Sequence, residues 1–214
     1  MDLRLFPLNT VLFPNMRLPL HIFEERYKLM IRECIEEDAP FGVVLIQTGE
    51  EVGSTAAPHQ VGTTARIIQV EYLDDGRMNI FTMGERRFRI EREETGDTLY
   101  RSVQASLLPE PGFGALADDA QRRLADMRGE LEARMLELVR LTAPASAEQL
   151  AERMRALDPL LLLNALSFGL DCPTLEKQSL LEAANPVVQG ELLLRILIIR
   201  IAEARLPEGP KIVN

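Results

Sequence analysis

Apolar residues recur at two spacings along the chain, and the change of spacing divides it. Near the start, Phe6-Pro7-Leu8, Phe13-Pro14 and Leu18-Pro19-Leu20 each set a large apolar side chain beside a proline. Proline has no backbone donor and pushes its predecessor toward extended conformations. The pattern predicts an edge strand and loop rather than a centrally paired strand, with Phe6, Phe13 and Leu18 facing inward. The period then turns helical: Phe23, Tyr27, Met30, Ile31, Cys34 and Ile35 share one stripe of a helix that ends near Pro40, with Glu24 and Glu25 in its first turn, where the helix dipole favours acid.

Residues 41–47 are almost continuously apolar, as in a strand buried on both faces, and residues 48–60 read as a loop. A strand resumes over 63–73 and closes at Asp74-Asp75-Gly76 as a hairpin. Residues 77–83, 88–93 and 99–108 read as three more strands with turns at Gly84 and at Gly96-Asp97, and short strands with regular turns predict a barrel. Pro109-Glu110-Pro111-Gly112 breaks the pattern. Beyond it Leu124, Met127, Leu131, Leu138 and Leu141 mark a long helix stopped by Pro144, a short helix follows from Ala147, and another starts at Thr174. Asp158-Pro159 and Asn185-Pro186 each pair a capping side chain with proline at the first helical position. The predicted fold class is α+β, with a β-rich domain over 1–113 and a helical bundle over 114–214.

Charge narrows the function. The net charge is −9, and residues 1–113 carry 12 basic against 18 acidic side chains. A protein that holds nucleic acid by neutralising phosphates needs a positive face, so nucleic acid is not an expected partner. The patch Arg86, Arg87, Arg89 and Arg92 is interleaved with Glu85 and Glu91 and reads as a solvated strand face. Cys34 and Cys172 give no disulfide framework. The start of the chain lacks the basic and apolar regions of a secretion signal, and the apolar run 192–201 contains Arg195 and Arg200 and is too short to span a bilayer. The expectation is a cytoplasmic protein without a membrane partner, in which 192–201 is a buried helix.

Catalytic chemistry finds little support. A phosphate-cradling loop needs a Gly-Lys pair, and these 214 residues contain none. Lys177 and Ser179 are two apart on a helix and point to different faces, so they form no nucleophile–base dyad. His21, His59, Cys34 and Cys172 lack metal-ligand spacing, and Cys34 lies on an apolar stripe where a thiol ionises poorly. No cofactor, no metal and no enzymatic activity are expected.

Taken in order, Phe6-Pro7-Leu8, Phe13-Pro14, Leu18-Pro19-Leu20-His21-Ile22-Phe23-Glu24, Arg26-Tyr27, Phe41-Gly42-Val43, Val52-Gly53, Val61-Gly62-Thr63, Gly84-Glu85-Arg86-Arg87-Phe88-Arg89-Ile90 and Lys177-Gln178-Ser179-Leu180-Leu181-Glu182 run through nearly the whole chain. This set resembles the amino-terminal substrate-binding domain of the Lon protease family. The resemblance implies a PUA-like β-barrel followed by a helical bundle, here a stand-alone form without ATPase or protease parts. It also implies a role in contacting protein substrates rather than cutting them. The expected partners are unfolded or extended protein segments and an ATP-dependent protease. The binding residues are expected among Phe13, Pro14, Met16, Leu18, Pro19, His21, Val52 and Pro58, and Glu24 is expected to pair with Arg87 to fix the first helix on the barrel. One departure stands out: Gln189-Gly190 occupies the place of an Arg-Leu pair usual in the family. Two other readings are an enzyme for a small molecule in a groove between barrel and bundle, and an RNA-binding PUA-like module.

Overall fold

The opening ribbon is a strand paired on two sides. In the computed structural model, which describes residues 1–49, 57–94, 98–110 and 112–206, β1 (Asp2–Leu8) runs antiparallel to β7 (Arg101–Leu107) through residues 2–5 and parallel to β3 (Phe41–Thr48) through residues 5–8. The edge-strand expectation is therefore corrected for β1. Met1 and Ala105 exchange backbone hydrogen bonds, so odd-numbered residues of β1 face β7. Pro7 is odd and lies past the end of the β7 pairing, where its missing donor removes no bond.

β5 (Val61–Tyr72) joins β3, and β6 (Met78–Glu94) joins both β5 and β7, so β1, β7, β6, β5 and β3 close into a ring. Its interior holds Leu3, Leu5, Val44, Phe88, Ile90, Val103 and Ala105. Two short elements stay outside the ring: β4 (Ala57–Pro58) on β3, and β2 (Arg17–Ile22) on the first half of β6. The helix α1 (Glu25–Glu36) buries Tyr27, Met30, Ile31 and Cys34, and Phe6 stacks on Tyr27 at 4.0 Å between ring centroids. Phe23 falls outside this stripe and is half exposed.

β6 corrects a second expectation, since residues 77–83 and 88–93 belong to one strand and Gly84 is not a turn. The irregularity there is a bulge, with Thr63 opposite Arg87 and Ala65 opposite Gly84. The Thr64 hydroxyl serves the displaced backbone, donating to the Arg86 carbonyl and accepting from its N–H, both at 3.2 Å. Glycine is required at 84 for another reason: a Cβ would collide with the Phe13 carbonyl oxygen.

The chain forms two compact units, and they do not follow a single cut near residue 113. Residues Met1–Glu110 and Pro173–Glu182 make the first, Pro111–Cys172 and Ala183–Asn214 the second. The helix α5 (Thr174–Leu181) thus belongs with the ring of strands. The second unit contains α2 (Asp118–Thr142), α3 (Ala147–Arg155), α4 (Pro159–Gly169) and α6 (Pro186–Ala204). Asp158 accepts from the N–H groups of Leu160 and Leu161, and Asn185 from that of Val188, each ahead of a proline that opens its helix. α6 buries Leu193, Leu197 and Ile201 but exposes Ile198 and Ile199, so it is amphipathic rather than buried all round. The Gln189-Gly190 departure has a packing reason: a Cβ at 190 would collide with the Met127 sulfur of α2, while Gln189 bonds Asn164 and Ser167 of α4.

Candidate functional site

The first half of β6 lies between β2 and β5 and carries them beyond the closed ring as a three-stranded arm. Side chains alternate along it: Met78, Ile80 and Thr82 are buried, whereas Phe81 is 42% exposed and Asn79 and Met83 are half-buried. Pro19 and Gln69 flank Phe81 on the same face, and His21 and Glu71 flank Asn79. A polar chain crosses the arm there. The Arg77 guanidinium reaches His21 Nε2 at 3.4 Å, His21 Nδ1 lies 2.8 Å from Asn79 Oδ1, and Asn79 Nδ2 donates to Glu71 at 2.9 Å. With Asn79 donating to a carboxylate, its carbonyl must accept, so the His21 proton sits on Nδ1.

The ribbon between β1 and β2 is held firmly. The Thr63 hydroxyl donates to the Leu12 carbonyl at 2.6 Å and Thr82 to the Leu18 carbonyl at 2.9 Å, so two buried hydroxyls are satisfied by ribbon backbone. Asn15, at φ 65°, donates to the Gly84 carbonyl, and Gly84 donates to Met16. That last bond sets the phase of the ladder: even-numbered residues of β2 face β6 and odd-numbered ones face out. Pro19 therefore stands at an outward position, on an edge it blunts.

Of the residues expected to meet a bound segment, Pro19 and His21 are exposed and Met16 is half-buried, all on or beside β2. Phe13 is 0% and Leu18 8% exposed, and Pro14 and Pro58 are buried as well. These four side chains are buried and offer no surface to a ligand, which corrects the expectation for them. Val52 lies outside the described residues. Glu24 and Arg87 do not pair with each other. Glu24 takes Arg26 at 3.0 Å, because β2 and the start of α1 lie at the Met78 end of β6, while Arg87 lies far along the same strand.

Arg87 instead anchors α5. Its Nε donates to Glu110 at 2.7 Å and its Nη1 to the Leu181 carbonyl at 2.8 Å, at the C-terminal end of that helix. The buried Gln178 donates to the Val61 carbonyl at 2.9 Å and to Glu182 at 2.7 Å, and Leu180 and Leu181 are buried. The helical spacing of residues 174–181 was legible, but their side of the chain was not.

A second anchor fastens α1. Arg4 donates to Glu33 at 3.3 Å and to Glu37 at 2.7 Å, and the Tyr100 hydroxyl donates to Glu33. Hydrogen bonding from Arg4 holds the Glu37 carboxyl below the usual carboxylate range. Burial pushes the neighbouring Cys34 thiol up to about 11, so it stays protonated near neutrality. Among the described residues no group of three or more His, Cys, Asp or Glu side chains is arranged to hold a metal. Among the same residues no helix is long and apolar enough to cross a membrane.

Sequence and structure comparisons agree on the relationship. A family model of the ATP-dependent protease La (LON) substrate-binding domain matches residues 2–198. The chain belongs to the Lon substrate-binding domain family. It is 27% identical over 199 residues to Lon protease 2 of Myxococcus xanthus and 27% identical over 178 residues to the Lon protease of Rhizobium meliloti. It spans 22% and 21% of the length of these relatives, while they match 88% and 83% of this chain. A Lon N-terminal domain protein from Xanthomonas campestris superposes with a TM-score of 0.66 at 26% identity, over 91% of this chain and 98% of its own. The N-terminal domain of Lon protease from the Mycobacterium avium complex gives 0.68 at 18% identity, over 96% of this chain and 100% of its own, which shows the shared fold.

What sequence reading missed about the Lon-type surface is the arm. Phe81 reads as an ordinary strand residue, and only the pairing of β2 and β5 on either side of β6 sets it between Pro19 and Gln69 on an exposed platform. Register along β6 was the hidden variable.

Proposed function

We propose that this Lon-family chain is a non-catalytic recognition module that binds unfolded or extended protein segments in the cytoplasm and presents them to an ATP-dependent protease. The observation that carries the reading is the three-stranded arm, which leaves Phe23 (50%), Ile68 (47%), Tyr72 (67%) and Phe81 (42%) exposed around strands whose outer edges have no strand partner among the described residues. Large apolar groups in this density outside a core mark an interaction surface, and an unpaired edge accepts extended backbone. Pro19, His21 and Met16 border the same platform.

The test is a fluorescence-anisotropy titration of a labelled, permanently unfolded protein with the chain and with a Phe23→Ser, Phe81→Ser variant whose unfolding curve matches it. Binding in the micromolar range, weakened at least fivefold by the variant and little affected by salt, is expected. Equal binding by the variant would move the site off the platform, and no binding by either protein would end the reading. ATP or casein turnover that stays proportional to this chain across successive columns would refute the non-catalytic part.

A further inference from the structure

One side of the arm is unlike the other. On β5 the pairing with β3 stops at Ala65, and, among the described residues, 66–72 pair with β6 alone. The Gly84-to-Met16 bond fixes which groups point where: even-numbered residues of β6 bond β2, so Asn79, Phe81 and Met83 bond Glu71, Gln69 and Arg66. The N–H and C=O groups of Ile67, Val70 and Tyr72 therefore point out of the sheet, with no backbone partner among the described residues. Proteins usually blunt such an edge with proline or lysine, as Pro19 blunts β2. Residues 66–72 contain neither, although a bulge interrupts them at Ile68.

Alongside this edge runs a groove of about 260 Å³, walled by Cys34, Ile35 and Ala39 at the end of α1 and by Ile67, Ile68 and Val70 of β5. Its lip is acidic. The last turn of α1 has no basic residue, and Glu33, Glu36, Glu37 and Asp38 all stand at the negative end of the helix dipole. Arg4 answers Glu33 and Glu37, while Arg66 is shared between Asp38 and Glu85, so the acids outnumber the cations they meet. Arg32 stands one turn before Glu36 on the same helix. The Asp38 side chain is 95% exposed.

We infer that the β5 edge accepts an extended polypeptide segment as an added strand, with alternate apolar side chains in the groove against Ile35, Ile67 and Val70 and a lysine or arginine at the lip against Asp38 and Glu36. The assignment rests on the proposed binding of protein segments and adds where and in what form they bind. The acidic lip selects the partner: a basic-apolar strand gains at both ends of the groove, and an acidic one meets like charge.

The experiment titrates the full chain with a fluorescent ten-residue peptide alternating valine and lysine, a valine–glutamate counterpart, two copies of the lysine peptide N-methylated on alternate residues, and the unfolded protein. Tighter binding of the lysine peptide by at least tenfold at low salt is expected, with one N-methylated copy losing binding and the other, methylated on the outward face, retaining it. In the protein, Val70→Pro removes an outward donor as Pro19 does, and Ile68→Lys places a cation at the lip; each should raise Kd at least tenfold, while Ile198→Ser, on the exposed face of α6, should leave it within twofold. Indifference to N-methylation on both faces overturns the strand addition without relying on any variant folding. If the unfolded protein binds but the edge variants bind it unchanged, this inference falls and the recognition reading stands. If nothing binds, both fall. Sedimentation showing a dimer that Val70→Pro dissolves would overturn it in favour of a second copy on the edge.

Discussion

Gly84 and Cys34 show how single positions carry the arrangement. Gly84 stands where the ribbon crosses β6, donating to Met16, accepting from Asn15 and leaving no room for a Cβ beside the Phe13 carbonyl. Because backbone rather than a flexible side chain blocks the site, Gly84→Ala should cost about 1–3 kcal/mol, read as a lower denaturation midpoint with unchanged slope. Cys34 should resist a thiol reagent at pH 8 in the native protein and react once it unfolds. Its thiol is raised from 9.0 to about 11 by burial. The sign follows from proton binding: between those values the folded state holds the proton that the unfolded state has released, so this contribution is complete below pH 9 and is lost as pH rises toward 11. Cys34→Ala should flatten that alkaline decline in unfolding free energy. The apolar context of Cys34 was readable from the helical stripe. The requirement at Gly84 was not, because glycine in a strand pattern signals a turn or a close approach equally well, and only the ribbon's path decides.

Elements were legible where period and caps agreed. The runs now seen as β3, β5 and β7, the long α2, and the helix starts at Asp158-Pro159 and Asn185-Pro186 all follow from local signals. Partners were less legible than elements. Pro7 argued for an edge, yet the ladder phase lets it sit in a strand with neighbours on both sides. Residues 173–182 share a helical neighbourhood in sequence, yet α5 completes the first unit through Gln178, Leu180, Leu181 and the Arg87 anchor. A fragment of residues 1–113 retains the closed ring and should fold. Without α5 it leaves the Val61 carbonyl and the Arg87 guanidinium without these partners, so it should unfold cooperatively at a lower denaturant concentration than the full chain. Adding a peptide of residues 173–182 should raise the midpoint again. A fragment as stable as the full chain would mean that α5 contributes nothing to the first unit.

At the scale of the whole molecule, family membership was legible because ordered short motifs run through the chain, while the binding surface was not. The expected site gathered apolar residues next to prolines, and such side chains are the ones folding buries, as it does Phe13, Leu18 and Pro58. Exposure depends on which strands extend past the ring, a property of long-range register on β6. Recognition of extended protein segments through that arm is the proposed function of this Lon-family chain. Hydrogen exchange measured peptide by peptide, with and without saturating unfolded protein, tests it most directly. Slowed exchange is expected over residues 66–72 and in Arg17–Ile22, with Asp118–Thr142 and Pro186–Ala204 unchanged. Slowing confined to those two helices, with the arm exchanging as in the free protein, would contradict it.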